Sequence, residues 1–98
     1  MILGKVVGTV VSTQKDKKLE GHKLLIVRQV GIDMELQKSF VVVADCVGAG
    51  VGEMVFYVTG SSARQTGTTK DLPIDSLIIG IIDHIEIEGK VIYKKQGN

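Results

Sequence analysis

Cysteine, proline and aromatic residues are scarce in this 98-residue chain: one Cys, one Pro and four aromatics, with no Trp. Cys46 has no second cysteine to pair with, which excludes a disulfide-stapled secreted module and suits a reducing cytosol. An excess of one charge is also missing. Lys and Arg number 12 against 11 Asp and Glu, a formal net charge of +1, so neither nucleic acid nor an anionic membrane is expected as a partner. No apolar run approaches the roughly 20 residues that cross a bilayer, and Met1-Ile2-Leu3-Gly4-Lys5 does not open like a signal peptide. The length allows one domain. The expectation is a soluble, cytoplasmic chain whose residues 1–98 form a single unit.

What is abundant is β-branched side chains. Val and Ile supply 14 and 11 residues, whereas Leu and Ala supply seven and three. Branching at Cβ fits a pleated sheet and costs rotamer freedom in a helix. The chain therefore reads as almost all β, with its 12 glycines as punctuation. Strands are expected over 2–13, with Gly4 and Gly8 as bends or bulges, and over 22–30, 40–47, 53–59 and 75–83. Charged or polar loops fill 14–21, 31–39 and 66–72, and one helical turn is expected over 60–65, where a Ser can cap the exposed N–H groups. Ile85-Glu86-Ile87-Glu88 alternates, and Gly89-Lys90 turns it into Val91-Ile92-Tyr93, a small hairpin.

Five or so strands in so short a chain suggest a small OB-like barrel. A strand with one face on the core should alternate apolar and polar. Here Leu24–Val27, Phe40–Ala44, Met54–Val58 and Leu77–Ile82 are apolar on both faces, with Gly80 the one gap. A barrel has a single interior, so the outward side chains require other cover. The economical source is further copies of the chain, packed wall against wall in a homo-oligomer.

No motif carries chemistry. Gly48-Ala49-Gly50-Val51-Gly52-Glu53 is close to the dinucleotide fingerprint but has Glu53 where the third glycine belongs, and a strand follows instead of a helix. It reads instead as a tight turn in which glycines, Gly50 among them, allow positive φ or close backbone approach. His22 and His84 lie apart, with no metal-ligand spacing. Cys46 reads as a small apolar residue, and Asp45, Asp75 and Asp83 as strand-end carboxylates that accept turn N–H bonds. Lys15, Lys17, Lys18 and Lys23 are interrupted by Asp16 and Glu20 and have no neighbouring aromatics on which bases would stack. Arg64, one of two arginines, sits on the expected helical turn, where it pairs across an interface, lines an opening or is an ordinary surface residue.

Three segments together resemble the EutN/CcmL family of bacterial microcompartment vertex proteins. The first runs from Gly4-Lys5-Val6-Val7-Gly8-Thr9-Val10-Val11 to Leu19-Glu20-Gly21-His22-Lys23-Leu24-Leu25. The second is Val43-Ala44-Asp45-Cys46-Val47-Gly48-Ala49-Gly50-Val51-Gly52-Glu53, followed by Gly60-Ser61-Ser62-Ala63-Arg64. The third is Pro73-Ile74-Asp75 with Gly80-Ile81-Ile82-Asp83. Cys46 departs from the family, where a Thr or similar residue is commoner, and residues 31–39 match no family pattern.

The resemblance implies a five-stranded OB-like barrel, with one short helical turn and a C-terminal hairpin, that assembles into a cyclic homopentamer. Such pentamers close the five-fold vertices of an icosahedral shell otherwise tiled by hexameric shell proteins. It implies a structural protein of the cytoplasmic microcompartment shell, with no catalytic residues, cofactor or metal. It further places Gly48, Ala49, Gly50, Gly52, Glu53, Ser61, Ser62, Ala63 and Arg64 near subunit contacts or a central opening, and suggests that hairpin 84–94 is exchanged with a neighbouring subunit. Two other readings compete with it. One is an OB-type module for single-stranded nucleic acid, which needs basic and aromatic residues on one face. The other is a small enzyme using Asp45, Cys46 or His84, which needs a concave pocket with convergent polar groups.

Overall fold

The structure is a computed structural model that describes residues 1–13, 17–19, 21–60 and 75–96. Its strands are β1 (Ile2–Val10), β2 (Lys23–Val30), β3 (Leu36–Asp45), β4 (Met54–Thr59), β5 (Ser76–Ile81), β6 (His84–Ile87) and β7 (Lys90–Lys94). The first five close into a barrel in the order β1-β2-β3-β5-β4. All neighbours in it are antiparallel except β3 and β5, which run parallel through Ala44↔Leu77 and Asp45↔Ile78. Antiparallel pairing of β1 with β4, from Ile2↔Tyr57 to Lys5↔Met54, completes the closure. The β3–β5 seam is short, so β3 before Ala44 pairs with β2 alone. This is the five-stranded barrel expected from composition and patterning.

The core follows from the period-two geometry of strands. Val6, Leu25, Val27, Val43, Val55, Tyr57 and Ile78 are buried together in the barrel interior. Each contributes on the order of 1.5–3 kcal/mol through apolar surface removed from water. Gly4 of β1 is buried among these side chains. A Cβ on Gly4 would lie 2.4 Å from Val27 Cγ1, 2.9 Å from Tyr57 Cε1 and 3.0 Å from the Arg28 carbonyl oxygen. Gly8 is not so constrained: a Cβ there would meet only Ile26 Cδ1, at 3.8 Å, and the β1–β2 register slips between Val6 and Gly8, with Val7 the extra residue of a bulge.

The strand ends differ from the sequence reading by up to four residues, most at the end of β1 and the start of β3. β1 ends at Val10 rather than at residue 13. β3 begins at Leu36, inside the stretch read as loop, and its polar start (Gln37, Lys38, Ser39) is exposed. That start pairs with β2 alone, through Val30↔Leu36. A 3-10 turn at Lys17–Leu19 lies within the expected charged loop. The helical turn expected over 60–65 lies, beyond Gly60, outside the described residues.

Outward apolar side chains gather in two clusters and one uncovered stripe. Leu24, Ala44, Val58, Leu77 and Ile79 pack together; they alternate with core residues, and so face away from the interior. Val30, Met54 and Ile82 form a second cluster, covered in part by Ile85 and Tyr93 of the C-terminal hairpin. The chain thus supplies some of its own cover, which the strand pattern alone did not reveal. On β3, Phe40 is 63% exposed and Val42 45%. The hairpin β6–β7 is a separate two-stranded sheet, and the molecule measures 45 × 28 × 25 Å.

Candidate functional site

The segment 48–53 connects β3 to β4 across one end of the barrel. Ala49 is fully buried and belongs to the core cluster, so the loop closes that end of the barrel. A bigger side chain there would compete for space with the interior. Three polar contacts hold the loop down. Lys23 Nζ donates to the Ala49 carbonyl at 2.6 Å, the Gly52 N–H donates to the Val6 carbonyl at 2.8 Å, and the Val6 N–H donates to the Glu53 carbonyl at 3.0 Å. The Asp45 side chain, only 2% exposed, lies with its Oδ2 3.8 Å from Lys23 Nζ and accepts the Val47 N–H at 3.1 Å through Oδ1. Asp45 therefore does what a strand-end carboxylate is expected to do.

Within the loop, Glu53 N–H donates to the Gly50 carbonyl at 3.2 Å, and Gly50 N–H donates to Glu53 Oε1 at 2.6 Å. Residues 50–53 form a turn whose third residue, Gly52, has φ 95°, the conformation that favours glycine at that position. Gly48 also has a left-handed φ, 81°. Gly50 has neither property expected of it: its φ is not positive, and a Cβ there would meet nothing nearer than Glu53 Oε1 at 3.5 Å. The glycine requirement rests on the two flanking positions.

Glu53 has a second partner. Its Oε2 is 2.9 Å from Lys95 Nζ, just beyond β7. The hydrogen bond from Lys95, then that from the Gly50 N–H, holds the Glu53 carboxyl below its ordinary value of 4.5 against the opposing effect of burial. The same contact raises the Lys95 ammonium above 10.5. Both groups are therefore charged at neutral pH.

Of the residues named from sequence, Gly48, Ala49, Gly50, Gly52 and Glu53 form one continuous feature. Ser61, Ser62, Ala63 and Arg64 lie outside the described residues. Of the residues considered for chemistry, Asp45 borders the loop through Lys23. His84 is exposed, with Nε2 3.7 Å from Glu86 Oε2, and Cys46 is exposed. Among the described residues no group of three or more His, Cys, Asp or Glu is placed to hold a metal ion. No helix among the described residues is long and apolar enough to cross a membrane. Sequence reasoning missed Lys95, and Lys23 was read as part of a solvated loop. No local pattern joins Lys95 to Glu53; the fold does.

A closed five-stranded barrel, a glycine loop sealing one end and an appended hairpin define a protein of the small-barrel class. Comparison with known proteins makes the assignment specific. The family model for "Ethanolamine utilisation protein EutN/carboxysome" matches residues 1–83. The chain is 44% identical over 97 residues to the carboxysome shell vertex protein CcmL of Nostoc sp., covering 98% of this chain and 96% of that one. It is 48% identical over 86 residues to the bacterial microcompartment shell vertex protein GrpN of Rhodospirillum rubrum, covering 88% and 97%. The solved structure of the Nostoc CcmL superposes with a TM-score of 0.92 at 45% identity, over 97% of this chain and all of that one. The GrpN pentameric microcompartment shell protein superposes with a TM-score of 0.81 at 47% identity, over 89% and 99%. The chain belongs to the EutN/CcmL family, and it is a structural shell vertex protein of a bacterial microcompartment.

Proposed function

We propose that the chain assembles into a cyclic homopentamer that closes the five-fold vertices of a microcompartment shell, against neighbouring hexameric shell proteins. The observation that supports this most directly is the β3 stripe. Phe40 and Val42 stand 63% and 45% exposed on the outer wall of the barrel, on a stretch of β3 that pairs with β2 but not with β5. A cyclic arrangement covers such a face with a different face of the next copy, and a closed ring leaves none uncovered. The relative from Rhodospirillum rubrum is described as pentameric, and that description supports the count of five.

In this reading residues 48–53 lie at subunit contacts or around the central opening, together with Ser61, Ser62, Ala63 and Arg64, and hairpin 84–94 reaches a neighbouring subunit. The protein's work is geometric: it supplies closure and curvature where a hexagonal sheet cannot close on itself. The OB-type nucleic-acid reading finds little support. Phe40 is paired across the strands with Arg28, but Arg28 Nε donates to the Gln37 carbonyl at 2.9 Å. The neighbouring pair, Ile26↔Val42, offers no surface for base stacking.

Co-expression with a hexagon-forming shell protein tests the proposal by electron microscopy. Closed polyhedral particles should form when this chain is present, and open sheets or tubes when it is absent. Particles that close equally well without it would overturn the vertex assignment.

A further inference from the structure

The C-terminal hairpin is an arm with few directional ties to the barrel. At its base, Ile82 N–H donates to the Met54 carbonyl at 2.9 Å, and Lys95 N–H donates to the Asp83 carbonyl at 2.7 Å. These bonds fix the neck of the arm. Further out, Ile85 and Tyr93 rest on Val30, Met54 and Ile82. Apolar packing of that kind is non-directional and tolerates sliding. Among the described residues the ion pair joining the base of the arm to the barrel is Lys95–Glu53, at 2.9 Å. The same carboxylate holds the Gly50 N–H through its other oxygen, so one side chain ties the glycine loop to the arm.

We propose that Glu53 is a positioning residue that latches the hairpin to the glycine loop, and that the arm angle so fixed determines how many subunits close the ring. The second half rests on the pentamer reading above. The rotation per subunit differs by only about 12° between a five-fold and a six-fold ring, so a modest swing of an arm bearing on a neighbour suffices to change the count. The arm has apolar surface to offer such a neighbour: Val91 is 50% exposed. The charged and titratable groups facing the latch are Lys23 on the barrel side, and Asp83 and Tyr93 on the arm side.

The test compares the full-length wild type with Glu53→Gln, Lys95→Gln and Lys95→Arg. Gln at 53 retains an oxygen for the Gly50 N–H, and Arg at 95 retains the charge. Two measurements are made on each protein: hydrogen exchange of amides in the hairpin and in residues 48–53, and native mass spectrometry. In Glu53→Gln and Lys95→Gln the hairpin amides should exchange roughly two- to five-fold faster. Core amides of β2 and β3 should be unchanged, which also shows that the variants fold. Lys95→Arg should restore protection. The wild type should give one stoichiometry, and the two latch-breaking variants a spread that includes rings of other sizes. Unchanged hairpin exchange in Lys95→Gln would overturn the latch. Faster exchange with an unchanged ring size would overturn its link to subunit count. A wild type that does not form pentamers would overturn the proposed function instead, and the exchange data would still decide the latch.

Discussion

Substituting Gly4 by Ala perturbs the barrel where β1 lies against the core side chains Val27 and Tyr57. The added methyl carbon would sit 2.4 Å from Val27 Cγ1 and 2.9 Å from Tyr57 Cε1, both core side chains, and 3.0 Å from the backbone oxygen of Arg28. Val27 is fully buried and Tyr57 nearly so, and the Arg28 carbonyl belongs to a strand of the barrel, so none of the three yields freely. Overpacking of this kind costs about 1–3 kcal/mol. It more than cancels the roughly 0.4–1 kcal/mol that a Gly-to-Ala change gains by restricting the unfolded chain. For a domain of this size each kcal/mol moves Tm by about 4–8 °C, so Gly4→Ala should lose on the order of 5–20 °C. Gly8→Ala is the matched control, because its Cβ would meet only Ile26 Cδ1, at 3.8 Å; it should hold or slightly raise Tm. Thermal unfolding followed by circular dichroism, at one fixed protein concentration because assembly contributes to Tm, makes the comparison. A Gly4→Ala protein as stable as Gly8→Ala would refute the reasoning.

Further predictions concern the loop, the latch and the outer wall. Gly52→Ala places a Cβ at φ 95° and should cost on the order of 1 kcal/mol or more, whereas Gly50→Ala should stay within about 0.5 kcal/mol of wild type; equal losses in denaturant titrations would contradict the assignment of the glycine requirement. Glu53 has a folded-state value below its ordinary 4.5, so its contribution is fully present above pH 4.5 and disappears as pH falls through the lower folded value. The Tm advantage of wild type over Glu53→Gln should therefore shrink towards zero under acid, and a pH-independent gap would show that the charge is not the cause. Phe40→Lys adds a charge at a position 63% exposed in the single chain. It should leave the fold intact, by circular dichroism, yet yield smaller species by light scattering, and full assembly would remove the β3 stripe from the interface.

Sequence patterning carried the barrel because that information is local. Val and Ile at alternate positions define strands, and runs apolar on both faces mark walls that require cover. Where the structure differed, the deciding facts were non-local. The start of β3 reads as loop because Gln37, Lys38 and Ser39 are polar and exposed, yet Leu36 pairs with Val30 of β2, a constraint that composition does not express. Gly4 and Gly8 are indistinguishable as glycines in a strand. Only register places one against Val27 and Tyr57 and the other at a bulge. Phe56 and Gly80 make the same point: they pair across strands, and a Cβ on Gly80 would meet the Phe56 ring at 2.3 Å. Of the site, the glycine loop was legible as a motif, but its logic was not. Gly48 and Gly52 carry the backbone requirement, Ala49 seals the core, and Glu53 depends on Lys95, a lysine distant in sequence and indistinguishable there from any solvated one.

The central claim is that this small barrel works as one part of a closed ring, and its mass in solution tests that most directly. Five copies of 10.6 kDa give about 53 kDa for the cyclic assembly. Native mass spectrometry of the full-length chain, at several protein concentrations, should show one dominant species at that mass. A chain that remains monomeric across the same range would contradict the account, because its outward apolar wall would then need no partner.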